Sequence, residues 1–149
     1  MFTVAKSYSF GDYILTIGGL PIGGYGEDGG VTFEPLTPER TTTMVGADGE
    51  VTATQTKDKR VRMTVRLMET SRSNSTLASF QKAQELAKGP LKTASYFVPV
   101  AGVDANTGET VISAQCIFEG PPTVTKDQNP SNREWSAILP APVLTFATL

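Results

Sequence analysis

Residues 60–69, RVRMTVRLME, alternate between apolar and polar more cleanly than any other part of the chain. Side chains two apart line the same face of a strand. Val61, Met63, Val65 and Leu67 therefore share one face, and Arg60, Arg62, Thr64, Arg66 and Met68 share the other. A strand divided in this way has one face in a core and the other outside it, which commits the chain to at least one half-buried sheet. The flanks restrict the fold further. Upstream, Thr41–Val45 and Glu50–Lys57 bracket Gly46-Ala47-Asp48-Gly49, the pattern of a hairpin whose Asp48-Gly49 step tolerates positive φ. Its threonines suit a pleated backbone, but its apolar content is low. An arm over 41–59 can contribute little to its own core, so it either lies over another part of the domain or reaches across to another chain.

Downstream, the same spacing rules predict a helix that starts at Ser73 or Asn74, either of which can cap the first free N–H groups. Leu77, Phe80, Ala83 and Ala87 recur at helical spacing, with Leu86 at the edge of the stripe. Lys88 suits the negative end of the helix dipole and Gly89-Pro90 stops the helix. It is the only helix the pattern supports. The remainder reads as short strands: one or two between Tyr8 and Ile17, one at Val31–Glu34 closed by Pro35 and Pro38, then Ser95–Val100 and Thr110–Phe118 around a turn at 104–108. A last pair falls at Glu134–Leu139 and Val143–Ala147, and Gly18–Gly26 reads as a turn-rich connection. Many short strands with Gly/Pro punctuation indicate a mainly β chain, a sandwich or barrel with one α-helix on its flank. At 149 residues and 39% hydrophobic content, with no internal repeat, residues 1–149 are expected to form one domain.

Composition excludes several kinds of chemistry. The chain has no histidine, which removes the usual general base and every Ser-His or Cys-His arrangement. Cys116 is the only cysteine, so neither an intramolecular disulfide nor a thiolate metal cluster is available. It alternates with Ile112 and Ala114 and is expected on a buried strand face. Net charge is −2, without the clustered excess of Lys and Arg that sequence-independent nucleic-acid binding requires. No secretory signal is visible, and the most apolar segment, Ala137–Ala147, is interrupted by Pro140 and Pro142. Gly24-Tyr25-Gly26-Glu27-Asp28-Gly29 fits GxGxxG formally, but a strand follows where a helix should, and two carboxylates would face the phosphates. Asp104, Asn106 and Glu109 suggest a calcium loop, yet Gly108 occupies a ligand position and no closing glutamate follows, so a hairpin turn is expected. No acidic pair stands out for glycosidase chemistry. No catalytic, cofactor-binding or metal-binding residue is therefore assigned, and the chain is not expected to be an enzyme.

VGADGEV at 45–51, the alternating VRMTVRL at 61–67 and the helix start ETSRSN at 69–74 occur in that order. Together they resemble the tail-tube proteins of contractile-tailed bacteriophages. Ser7-Tyr8-Ser9-Phe10 and the Gly-rich segment resemble the same family. That resemblance implies a homohexameric ring whose strands close into a continuous barrel, stacked with other rings into the inner tube of a contractile tail. A sheath protein would surround the tube, with baseplate and tail-terminator proteins at its ends. The tape-measure protein and then double-stranded DNA would occupy the lumen transiently. It also implies a virion component assembled in the bacterial host cytoplasm, without membrane insertion. The tubes of type VI secretion systems and phage-derived bacteriocins are related in fold and stand as an alternative. From a different class, a small β-sandwich carbohydrate-binding module would need exposed aromatics, whereas Trp135 alternates with Ala137 and Leu139 and is expected to be buried. Contacts between subunits are assigned to Val45, Asp48, Glu50, Thr52 and Thr54 of the arm and to the basic row Arg60, Arg62 and Arg66. A tube that gripped phosphates would hinder ejection, so this row is expected between subunits rather than on the channel wall.

Overall fold

The computed structural model describes residues 10–26, 29–129 and 131–146. Ser7, Tyr8 and Ser9 of the resemblance, and Glu27 and Asp28 of the glycine motif, lie outside the described residues. The chain runs through a 3₁₀ turn at Phe10–Asp12, then β1 (Tyr13–Ile17), β2 (Leu20–Ile22), β3 (Gly30–Pro35), β4 (Thr41–Val45), β5 (Val51–Gln55) and β6 (Val61–Met68). Helices α1 (Ser73–Leu86) and α2 (Pro90–Ala94) follow, and then β7 (Val100–Asp104), β8 (Thr110–Ser113), β9 (Ile117–Phe118), β10 (Asn132–Leu139) and β11 (Val143–Thr145).

β6 is the organising strand, as its alternation requires. It lies inside a four-stranded sheet of order β3-β6-β10-β9, and β10 pairs with it antiparallel along its full length from Val61↔Leu139 to Met68↔Asn132. Val61, Met63, Val65 and Leu67 are all buried, and Trp135, Ala137 and Leu139 of β10 share their face. The second sheet has the order β11-β8-β7-β1-β2, and β4 and β5 form a separate two-stranded ribbon. One core joins the two larger sheets: Leu15, Ile17 and Val100 from the five-stranded sheet meet Met63, Val65 and Trp135 from the four-stranded one, with Leu77 of α1 among them. Removing that much apolar surface from water is the main favourable term in the fold.

Several expectations change. Leu20–Ile22 is a strand inside the segment expected to be turn, because Gly18 and Gly19 make a tight reversal that returns β2 onto β1 with Ile17↔Leu20 paired. Ser95–Pro99 precedes β7 rather than forming a strand, since α2, a second helix the periodicity did not suggest, occupies Pro90–Ala94. The Thr110–Phe118 strand is broken. β8 stays in the five-stranded sheet and β9 crosses to the four-stranded one, so Ile112 and Ala114 are exposed while Cys116 is buried. The last two strands do not pair with each other: β10 joins β6 and β9, and β11 joins β8.

Helix α1 differs in both its cap and its face. Neither Ser73 nor Asn74 caps it. Arg72 precedes it in helical geometry with no side-chain cap bond, and Ser71 Oγ accepts from the Ser73 N–H at 3.2 Å while donating to the Gly23 carbonyl at 2.6 Å. Asn74 is buried instead. Its Nδ2 donates to the Met68 and Glu69 carbonyls at 2.9 and 3.2 Å, and its Oδ1 accepts from Trp135 Nε1 at 3.0 Å. The buried face runs through Asn74, Leu77 and Gln84, with Phe80 partly buried and Ala83 and Leu86 exposed. Gln84 explains why this face carries an amide. Its Nε2 donates to the Cys116 carbonyl at 2.7 Å and to the Ser95 carbonyl at 3.3 Å, and its Oε1 accepts from the Phe118 N–H at 2.9 Å. The break between β8 and β9 leaves buried backbone groups without strand partners, and buried polar groups need partners. A helical glutamine supplies them.

Candidate functional site

The arm stands clear of its own domain. Every residue of β4 and β5 is exposed, on both faces of the ribbon. Register runs from Thr41↔Gln55 to Val45↔Val51. The turn closes through Gly49 N–H to the Gly46 carbonyl at 3.0 Å and Gly46 N–H to the Glu50 carbonyl at 2.8 Å, with Gly49 at φ 86°. Asp48 Oδ1 accepts from the Glu50 N–H at 3.1 Å. Met44, Val45 and Val51 are 74%, 65% and 59% exposed, so the ribbon carries apolar side chains that no described residue of its own chain covers. The structure thus brings Val45, Asp48, Glu50, Thr52 and Thr54 together on one projecting element.

The root of the arm is fixed. Asp58 accepts from Arg60 Nε at 2.9 Å, Arg60 Nη2 at 3.0 Å and Thr37 Oγ1 at 2.6 Å. The Arg60 side chain first, and then Thr37, hold the Asp58 carboxyl well below the usual carboxylate range. The Thr56 N–H to Arg40 carbonyl bond, 2.8 Å, and the Leu36 N–H to Arg60 carbonyl bond, 3.1 Å, complete the root. Arg60 therefore belongs to the arm, while Arg62 and Arg66 lie elsewhere. The basic row is split.

Arg62 and Arg66 stand on the face of the four-stranded sheet that points away from the core. Thr32, Thr64 and Ser136 lie side by side across β3, β6 and β10, and Arg66 lies opposite Glu134. Arg62 Nε donates to Glu119 Oε1 at 2.8 Å, and Arg66 Nε to Glu134 Oε2 at 3.2 Å. Sequence reasoning did not single out Glu119 or Glu134. Their signal lies in the pairing of β10 with β6 and with β9, which no local pattern specifies.

Beside this face, Glu69 ties back the chain at Lys126 and Arg133. Its Oε1 meets Lys126 Nζ at 2.5 Å and Arg133 Nη2 at 3.1 Å, and Lys126 in the first place lowers its pKa from an ordinary value near 4.5. A carboxylate lowered on folding stabilises the native state fully above its unfolded value, and loses that contribution as pH falls through the lowered one. The segment should accordingly be held at neutral pH and loosen only in acid below about 4.5. Hydrogen exchange of the Val124–Asn129 amides across that range checks this, and Glu69→Gln should show the loosened state already at pH 7.

The other motifs resolve structurally. A Cβ on Gly24 would run into the Ser71 side chain, and Gly24 holds φ 82°, so its glycine serves close packing of the chain on the helix start. Asp104 Oδ1 accepts from the Asn106 N–H at 2.9 Å, and Gly108 takes φ 75° at the β7–β8 turn. Among the described residues no group of three His, Cys, Asp or Glu side chains could hold a metal ion. Burial pushes the Cys116 thiol up to about 12, far from thiolate chemistry at neutral pH. Trp135 is buried against Phe118 and Asn74, which removes it as an exposed sugar platform. No helix among the described residues is long and apolar enough to cross a membrane.

Residues 5–140 match the family of the bacteriophage PhiTE tail tube protein. None of the curated protein sequences matches. Among solved structures, the chain is similar to the tube-terminating cap of the anti-feeding prophage, with a TM-score of 0.62 at 9% identity, covering 99% of this chain and 96% of that one. It is also similar to the sheath/tube terminator of the extracellular contractile injection system PVC, at TM-score 0.58, 10% identity and coverage of 96% and 99%. A chain of the PVC sheath–tube complex gives TM-score 0.56 at 10% identity, with 95% and 93% covered.

Proposed function

The chain belongs to the bacteriophage tail tube family, a family of structural particle proteins rather than enzymes, and on that premise we propose that it forms homohexameric rings that stack into the inner tube of a contractile tail, the channel for genome ejection. The observation that carries the reading is the arm: a ribbon exposed on both faces, whose Met44, Val45 and Val51 are left uncovered by the described residues of its own subunit. Laid on an adjacent ring, it buries those side chains. Val45, Asp48, Glu50, Thr52 and Thr54 are then the stacking contacts, and Arg60 sets the angle at which the arm leaves.

Closure of the ring follows from the sheet edges. The four-stranded sheet ends in β3 on one side and in the two-residue β9 on the other. Unpaired edges invite strand addition, and closure removes them. We assign the seam to β3 of one subunit against the β9 edge of the next. The opposite face of this sheet is occupied by the core, and we assign its polar face, with Arg62 and Arg66, to the bore in place of the contacts between subunits expected from the sequence. A sheath protein outside, terminator and baseplate proteins at the ends, and tape-measure protein and then double-stranded DNA within complete the set of partners, in a virion assembled in the host cytoplasm.

A second reading has a specific observation behind it: two of the solved relatives named above are a tube-terminating cap and a sheath/tube terminator. In that reading the chain makes one ring at the end of a tube. A particle of the injection-system or bacteriocin type is compatible with either. Light scattering and negative-stain microscopy of the purified chain over rising concentration separate them: stacked tubes support the tube protein, single rings that never stack support the terminator, and a monomer under all conditions removes both.

A further inference from the structure

We propose that the polar face of the four-stranded sheet is built to let a polyanion slide past without holding it, and that Glu119 and Glu134 are the residues that make it so; the placement of this face on the bore rests on the tube reading. β6 sets two guanidinium groups on one face four residues apart, about 13 Å at the rise of a strand. They are 40% and 52% exposed, open to anything that approaches the sheet. An arginine fork fits a phosphate well. Each phosphate that such a group neutralises releases counterions and adds affinity whatever the sequence. Repeated around a ring and along a stack, two free arginines per subunit would grip duplex DNA throughout its passage.

The glutamates cancel that grip. Glu119, immediately after β9, meets Arg62 Nε at 2.8 Å, and Glu134 in β10 meets Arg66 Nε at 3.2 Å. A pair at that separation presents a dipole, whose field falls off faster than that of a single charge. Screening over about 8 Å at physiological salt removes most of the remainder. Glu34 adds a carboxylate to the same face, and Thr32, Thr64 and Ser136 present only neutral hydroxyls between the pairs. Ion pairs this exposed add little to stability. Charge cancellation on the surface is the effect they do have.

The test compares three proteins: the natural chain, the double variant Glu119→Gln/Glu134→Gln, and a control, Glu39→Gln/Glu85→Gln, with the same change in net charge placed on the exposed β3–β4 connection and on the exposed side of α1. Binding of a fluorescently labelled DNA duplex is read by anisotropy on unassembled subunits as salt is raised. The natural chain and the control should bind negligibly. The Glu119/Glu134 variant should bind at low salt, and its log–log salt slope should steepen by about 1–2, at ~0.9 per phosphate contact. Adding Arg62→Gln and Arg66→Gln to that variant should abolish the binding. A Glu119/Glu134 variant that binds no better than the control overturns the proposal, as does a natural chain that binds as tightly as the variant. Negative-stain microscopy of the natural chain keeps the two readings apart: binding by the variant without rings from the natural chain upholds charge cancellation and removes the bore, whereas tubes without binding by the variant do the reverse.

Discussion

A subunit lacking Ala47–Thr54 should melt at the same temperature as the intact chain and build no tubes. The arm contributes nothing to the core: β4 and β5 are exposed at every position, and the root contacts at Asp58, Arg60 and Thr37 lie outside the deleted stretch. Ordering a ribbon costs about 1–2 kcal/mol per residue in backbone entropy, and a ribbon exposed on both faces offsets little of that cost. Seated on the next ring, it gains burial of Met44, Val45 and Val51, side chains that are each worth about 1.5–3 kcal/mol when fully removed from water. Stacking is therefore where the arm's free energy is recovered, and its loss should stop assembly at single rings. Differential scanning calorimetry and negative-stain microscopy of the same sample measure the two halves of this result. Full-length tubes from the deletion variant would remove the arm from the stacking contact.

Leu77→Ala should be the most damaging single truncation in α1, costing about 2–5 kcal/mol, the range for a fully buried leucine cut to alanine. Leu77 is 0% exposed and lies in the core shared by both sheets. For a chain of this length each kcal/mol lowers the melting temperature by about 2–4 °C. Domains commonly hold only about 5–15 kcal/mol in total, so part of the population could unfold under working conditions. Phe80→Ala should cost less. By helical spacing the two residues fall in one apolar stripe, and an emptied aromatic site would cost about 3–5 kcal/mol. In the structure the Phe80 ring is only partly buried and packs over Gly18 at the rim of the core. Melting of the two isolated variants decides the order, and a Phe80→Ala subunit that melts like the natural chain yet fails to assemble would mean that the ring faces a partner. Either variant that melts early should also assemble poorly, because fewer subunits are competent.

Local pattern carried the elements that satisfy a single rule. The β6 alternation gave its buried face residue by residue, because a period of two leaves only one way to separate Val61, Met63, Val65 and Leu67 from the arginines. The 46–49 turn gave the hairpin, because one position there needs positive φ and Gly49 supplies it. Helix α1 was legible in extent but not in orientation. Its stripe of Leu77, Phe80, Ala83 and Ala87 assumes that buried means apolar. The face that packs carries Asn74 and Gln84, because the groups opposite are a tryptophan N–H and the unpaired backbone around Cys116.

The amino-acid sequence by itself determined that this chain is mainly β with one principal helix, that its arm is too polar to form a core, and that histidine and thiol chemistry are unavailable. Each of these follows from residue type and short-range spacing. Only the tertiary structure decided that β8 and β9 belong to different sheets, that Arg60 serves the arm while Arg62 and Arg66 share a sheet face, and that Glu119 and Glu134 neutralise them. Those facts depend on register between segments dozens of residues apart. Register is settled by the packing of the whole core, where a slip of one residue would turn every buried side chain of a strand out to solvent.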